Sequence, residues 1–298
     1  MEHKFGGAWT QDKLQRLEKY LKAYRTIFTR NPKAQYLKTW YVDAFAGTGA
    51  RVPSGKPQEA PNAGLFEDVY EDHETVEYQD GSARIALSLA EPFDYYLFID
   101  RAKGHIEQLQ QTISQDYPQL GLRCIYQQGD SNQVLKAWCK QRNWSKERAV
   151  VFLDPYGMQV EWSTIEALAA TKAVDLWYLF PLGVGVARLL THSGEIDEGW
   201  QNRLDLLFGT PDWRAQFYKV ETTMDLFGAE SETVRRTADT ASIGTFLHDR
   251  LTKVFAKVAK GKVLRNSRQS PLYMLCFAAS NERGADAAIR IAQDILRD

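Results

Sequence analysis

Cysteine is scarce in this chain: three among 298 residues, Cys124, Cys139 and Cys276. They are far apart, odd in number and form no C-x-x-C, so a disulfide framework is excluded and a reducing compartment is expected. Cys124 and Cys276 stand inside apolar runs, where a small buried thiol is the expected role. The five histidines form no H-E-x-x-H and no ligand spacing with cysteine, so no structural metal is expected. Long apolar runs are missing as well. The most apolar stretch, 174–190, is broken by Asp175, Pro181 and Arg188, which argues against a spanning helix and a membrane partner. Met1-Glu2-His3-Lys4 lacks the apolar core of a secretory signal, and a cytoplasmic location is expected. Neither sign of charge dominates: 37 Lys and Arg against 38 Asp and Glu give a net charge of −1. That excludes a uniformly basic nucleic-acid coat but leaves room for charge sorted into opposite patches.

What is present reads as an ordinary folded chain of about one large domain, with 44% hydrophobic and 25% charged residues. Leu14, Leu17, Leu21, Tyr24 and Ile27/Phe28 recur at helical spacing and predict a helix over 11–30, with Thr10 as its N-cap. Strands are predicted at 39–45, 95–99, 122–127, 149–153 and 174–180. Helical stretches near 81–90, 102–114, 131–142 and 162–171 separate them. Strand and helix alternating in this way imply a parallel sheet covered on both faces. Residues 184–260 read as a mostly helical insertion or cap. Val263–Arg265 and Leu272–Ala278 flank the turn NSRQSP as a closing hairpin. Trp177, Tyr178 and Phe180 read as core.

The chemistry-bearing residues fall at predicted strand ends, where ligands bind in a doubly wound sheet. Asp43-Ala44-Phe45-Ala46-Gly47-Thr48-Gly49 closes the first strand, with glycines that let the backbone turn and approach a ligand. A dinucleotide fingerprint requires a glycine where Val52 stands, and no G-x4-G-K-[ST] occurs, so neither that motif nor a P-loop is present. Asp100 tips the second strand, placed to accept from ribose hydroxyls or simply to face solvent. It lies 51 residues beyond Gly49; setting aside the 31-residue polar segment 50–80 leaves the usual spacing of about 20. Asp130 follows the third strand, where an adenine amino group is read or a turn is capped. Asp154-Pro155-Tyr156-Gly157 ends the fourth, with an acceptor, a stiff turn and a flat ring for stacking.

This ordered set, DAFAGTG, a strand-end acid, GD and DPYG, resembles a class I S-adenosylmethionine-dependent methyltransferase. The order resembles enzymes that methylate adenine N6 or guanine N2. Those commonly carry D/N-P-P-Y/F, whereas DPYG, with one proline, looks closer to the DPFG of tRNA guanine-N2 methyltransferases. Over roughly 10–280, YVDAFAGTG, DGSARIAL (80–87), FLDPYGMQVEW (152–162), DLWYLFPLGV (175–184) and RLDLLFGTPDW (203–213) resemble the three-Cys-motif partner (TcmP) proteins. The resemblance implies a Rossmann-like class I methyltransferase fold. It would be a mostly parallel seven-stranded sheet with helices on both faces, in one domain carrying the loop 50–80 and the helical insertion 184–260. It also implies a bacterial setting and a partner protein bearing a three-cysteine motif. Carried over, Asp43, Phe45, Ala46, Gly47 and Gly49 would hold the methionine part of S-adenosylmethionine, Asp100 its ribose and Asp130 its adenine. Asp154, Pro155 and Tyr156 would present an acceptor amine, an exocyclic amine of a nucleic-acid base, and Trp9 and Lys13 would complete the cofactor site. The single proline, the long loop and the family's partnership keep an alternative open, a non-catalytic regulatory partner on the same fold.

The near-zero net charge is a cancellation. Residues 1–40 carry nine bases against three acids, and 250–268 carry seven bases and no acid. Each reads either as a phosphate-facing track or as a solvated helix face. Residues 61–80 carry seven acids and no Lys or Arg, a lid, a docking surface or a solvated insertion beside the glycine turn.

Overall fold

A computed structural model describes residues 8–48, 81–224 and 230–297. Gly49 and the acidic segment 50–80, with the cofactor-binding and lid readings placed on them, lie outside the described residues.

The chain opens with helix α1 (Ala8–Arg30), whose Leu14, Leu17, Leu21 and Tyr24 are buried as the helical spacing requires. It begins before Thr10, which sits inside the helix and is buried rather than capping it. The first turn is held by a tertiary contact, the Trp9 ring stacked on Tyr273 at 4.9 Å between centroids.

Five strands follow in register with the predicted ones: β1 (Lys38–Asp43), β2 (Tyr95–Asp100), β3 (Cys124–Gln128), β4 (Glu147–Leu153) and β5 (Val174–Phe180). Between them lie α2 (Ser82–Leu87), α3 (Lys103–Asp116), α4 (Ser131–Gln141) and α5 (Trp162–Ala170). These strands pair in parallel in the spatial order β3-β2-β1-β4-β5. The sheet closes with β10 (Pro271–Ala279), antiparallel to β5. Outside β10 the lane is shared by two short strands, β8 (Lys257–Val258) and β9 (Lys262–Arg265). That division makes eight strands where seven were expected.

Side chains alternate across the sheet as strand geometry demands. Val42, Val151, Leu176 and Cys276 point to one core with α4 and α5. Tyr41, Phe152, Trp177 and Phe277 point to the other, against α1, α2, α3 and the final helix α9 (Ala285–Arg297). Burial on both faces is why these strands read as continuous apolar runs rather than alternating ones.

Residues 184–260 are less helical than expected. They hold α6 (Glu198–Phe208), α7 (Trp213–Phe217) and α8 (Thr240–Thr252), but also an antiparallel ribbon, β6 (Tyr218–Met224) and β7 (Glu230–Arg236). The ribbon has no 3.6-residue stripe because it is solvated: its cross-strand pair Val220 and Val234 is exposed. Its base is anchored by Arg236, which donates to the carbonyls of Ala187 and Leu190. The string 203–213 is structural. Asp205 accepts from Trp213 Nε1 and Arg214, both within 2.8 Å. Gly209 ends α6 with φ +66°, and a Cβ there would stand 2.2 Å from Trp162. Among the described residues no helix is long and apolar enough to cross a membrane.

Candidate functional site

The carboxyl ends of β2, β1 and β4 are adjacent, so three of the predicted acids, Asp100, Asp43 and Asp154, come to one edge of the sheet. Asp43 is fully buried. It accepts from Ser82 Oγ at 2.5 Å, Tyr41 Oη at 3.3 Å and the Phe45 N–H at 3.3 Å. Burial pushes its carboxyl up to about 6, the nearby Asp154 charge adds to the rise, and the Ser82 hydroxyl opposes it.

The turn after Asp43 is bolted on three sides. Ala44 N–H donates to Phe152 O on β4, Ala46 N–H to Ile99 O on β2, and the Ser131 hydroxyl to Ala44 O from α4. Gly47, at φ +58°, donates its N–H to Asp100 Oδ2 at 3.0 Å. Among the described residues nothing lies within 4 Å of the place a Gly47 Cβ would occupy. The other oxygen of Asp100 accepts from Ala102 N–H at 2.8 Å and lies 3.1 Å from His105 Nδ1. Asp130 stands at the end of β3, one strand beyond Asp100. Its Oδ1 caps α4 by accepting from the N–H groups of Asn132 and Gln133.

Asp154 is engaged from an unexpected direction. Lys13 of α1, only 2% exposed, puts its ammonium 2.5 Å from Asp154 Oδ2. That ammonium lies 5.4 Å from the Trp9 ring centroid and 6.0 Å from that of Phe152. Pro155 is buried beneath the turn, while Tyr156 is 57% exposed. The first turns of α1 therefore wall the edge where β1 and β4 end.

Sequence reasoning did not single out Ser82, His105 or Tyr273. Ser82 and Tyr273 reach the site from chain segments whose own letters carry no spacing signal toward it. His105, in the first turn of α3, lies five residues past Asp100, close enough in the chain for the contact to have been considered. Of the nine bases along 1–40, which read either as a phosphate-facing track or as a solvated helix face, three turn inward. Lys13 bonds Asp154, Arg16 pairs with Asp12 and bonds Ile295 O, and Arg25 bonds Thr39 and Glu91 O. In the second basic run Arg250 donates to Phe208 O and lies over the Trp162 ring, while Arg265 and Arg268 are exposed at the β9–β10 turn.

No family model matches the chain, and neither does any curated protein. Among solved structures it is similar to the Legionella pneumophila protein LPL1258 of the DUF519 family, at 11% identity and TM-score 0.45 over 98% of this chain and 92% of that one. It is also similar to Thermotoga maritima spermidine synthase, at 11% identity and TM-score 0.41 over 96% of this chain and 62% of that one. The glycopeptide N-methyltransferase MtfA, in complex with sinefungin, matches at 10% identity and TM-score 0.33 over 87% of this chain and 93% of that one. These are likenesses of arrangement. The assignment of a Rossmann-like, mostly parallel α/β fold of the class I methyltransferase kind rests on the chain's own strand order and its antiparallel closing strand.

Proposed function

We propose that this chain is an S-adenosylmethionine-dependent methyltransferase acting on an amine. The observation that carries the reading is the bond from the Gly47 N–H to Asp100, which ties the glycine turn to the acid of the next strand. The residues present fit the cofactor. Asp43, Phe45, Ala46 and Gly47 form a tight strand-end turn that would take the methionine part. Asp100, already an acceptor of N–H donors, suits ribose hydroxyls, and Asp130 suits the adenine amino group. Trp9 and Lys13 close the site from α1. When bound, the cofactor supplies a methyl group activated by a sulfonium.

The chain's own task at the acceptor side is positioning and polarisation. Asp154 and the Pro155 carbonyl accept from the amine's N–H groups, and the Tyr156 ring offers a face for a planar substrate. The finer reading is an exocyclic amine of a nucleic-acid base, supported by the D-P-Y-G string and the exposure of Tyr156. On the resemblance of its long strings to the TcmP proteins, the chain works with a partner bearing a three-cysteine motif.

Isothermal titration with S-adenosylmethionine and S-adenosylhomocysteine tests the reading. Binding that is lost in Asp100→Ala supports it; no binding to the wild-type chain rejects it. Transfer of labelled methyl to cellular RNA or DNA, abolished in Asp154→Ala, supports the base as acceptor. Binding without transfer to any nucleic acid favours the regulatory alternative.

A further inference from the structure

The seat on Asp154 already holds a primary amine. Lys13 Nζ stands at hydrogen-bond distance from the one carboxylate that the reading above assigns to the acceptor, at the strand end beside the glycine turn. Its four-carbon stem is buried, and its ammonium is flanked by Trp9 and Phe152, which favour a cation over their faces. Helix α1 is not free to swing: Arg16 bonds Ile295 O, Tyr20 Oη donates to Asp175 at 2.7 Å, and Trp9 is stacked on Tyr273. The amine is thus fixed at the catalytic edge, as a substrate amine must be, with no translational freedom to lose.

We propose that Lys13 is itself a methyl acceptor of this site, an aliphatic amine methylated in cis, a proposal that rests on the methyltransferase reading above. Lys13 Nζ gives up one proton to the Asp154 carboxylate, which passes it to water. The nitrogen lone pair then forms the N–CH3 bond as the carbon–sulfur bond of the sulfonium donor breaks, and S-adenosylhomocysteine leaves as a neutral thioether. Methyl-lysine regains its positive charge but has one N–H fewer and more bulk. Its grip on Asp154 is weaker, so modification of Lys13 leaves the acceptor carboxylate more open to a second amine while α1 stays in place.

Two readouts decide the matter. Peptide mass mapping of the full chain, as isolated and after incubation with S-adenosylmethionine carrying a deuterated methyl, is expected to find methyl on Lys13. Titration calorimetry on the same preparation reports cofactor binding independently. Asp154→Ala is expected to slow labelling on the order of a hundredfold. Lys13→Arg, which keeps a cation on Asp154 and so preserves the fold, is expected to carry no label at that position. Binding of the cofactor with Lys13 unmodified in both preparations overturns the proposal and leaves the methyltransferase reading standing. Failure to bind removes both. Equal labelling in the heat-unfolded chain marks unassisted alkylation and overturns the proposal. That control needs no folded variant.

Discussion

The backbone N–H of Gly47 and the carboxylate of Asp100 meet at 3.0 Å, across the ends of two neighbouring parallel strands. One acid therefore fixes the glycine turn, its other oxygen accepting from the Ala102 N–H. Asp100→Ala is expected to release the turn and, on the proposed function, to remove the ribose acceptor as well. Two charge-assisted hydrogen bonds at about 1.5–3 kcal/mol each make the loss in cofactor affinity roughly a hundredfold or more. Titration calorimetry checks this, and an unchanged dissociation constant in the variant rejects the assignment of Asp100.

Tyr156 is 57% exposed, so it lies outside the core, and the proposed function gives it a role in recognition. Tyr156→Ala is expected to leave the melting temperature nearly unchanged, within about 0.5 kcal/mol of stability. The same change should weaken engagement of a planar acceptor by about 1–3 kcal/mol, the worth of one stacked base. A large loss of melting temperature would show that the ring is structural.

Asp175, the second residue of β5, is half-buried at the start of the strand, where Tyr20 donates to it at 2.7 Å. Burial pushes its carboxyl up to about 7; the Tyr20 hydroxyl and the Arg148 charge oppose the rise. The folded chain thus holds this proton where the unfolded chain has released it, between roughly pH 4 and 7. Stability from this group is fully present below about pH 4 and is lost as pH rises to about 7. Asp175→Asn removes that loss. The difference in melting temperature, variant minus wild type, is expected to grow with pH across this window and then level off. A difference that stays flat from pH 4 to 8 rejects the argument.

Gly209 ends α6 in the left-handed region, against the Trp162 ring. Gly209→Ala incurs both backbone strain and a clash, an expected loss of about 2–4 kcal/mol. Gly104, on the exposed face of α3 with open space around it, supplies the control. Gly104→Ala is expected to raise stability by about 0.5 kcal/mol. Chemical denaturation of the two variants checks both signs.

Much of the architecture was legible because the strands are buried on both faces. Residues 96–99 and 176–180 have to be continuous apolar runs, and such runs are visible in the letters. The acids at their ends were legible for the complementary reason, since a charge ending an apolar run must sit where the sheet meets solvent or ligand. The β6–β7 ribbon was not legible, because a solvated two-stranded ribbon has no buried face to pattern its residues. The early start of α1 was missed because its first turn is held by Trp9 on Tyr273, a contact between residues at opposite ends of the chain.

Local letters alone determined the parallel α/β core, the glycine turn and the row of strand-end carboxylates, because burial period and turn chemistry act within a few residues. Only the tertiary structure decided what those carboxylates touch. The nine bases of the first forty residues read as one patch, yet Lys13, Arg16 and Arg25 point inward because a helix laid across a sheet turns one face of its charges to the core. The pairing of Lys13 with Asp154 spans 141 positions. It exists because α1 packs over the carboxyl ends of β1 and β4, a relation set by long-range packing that no spacing rule encodes.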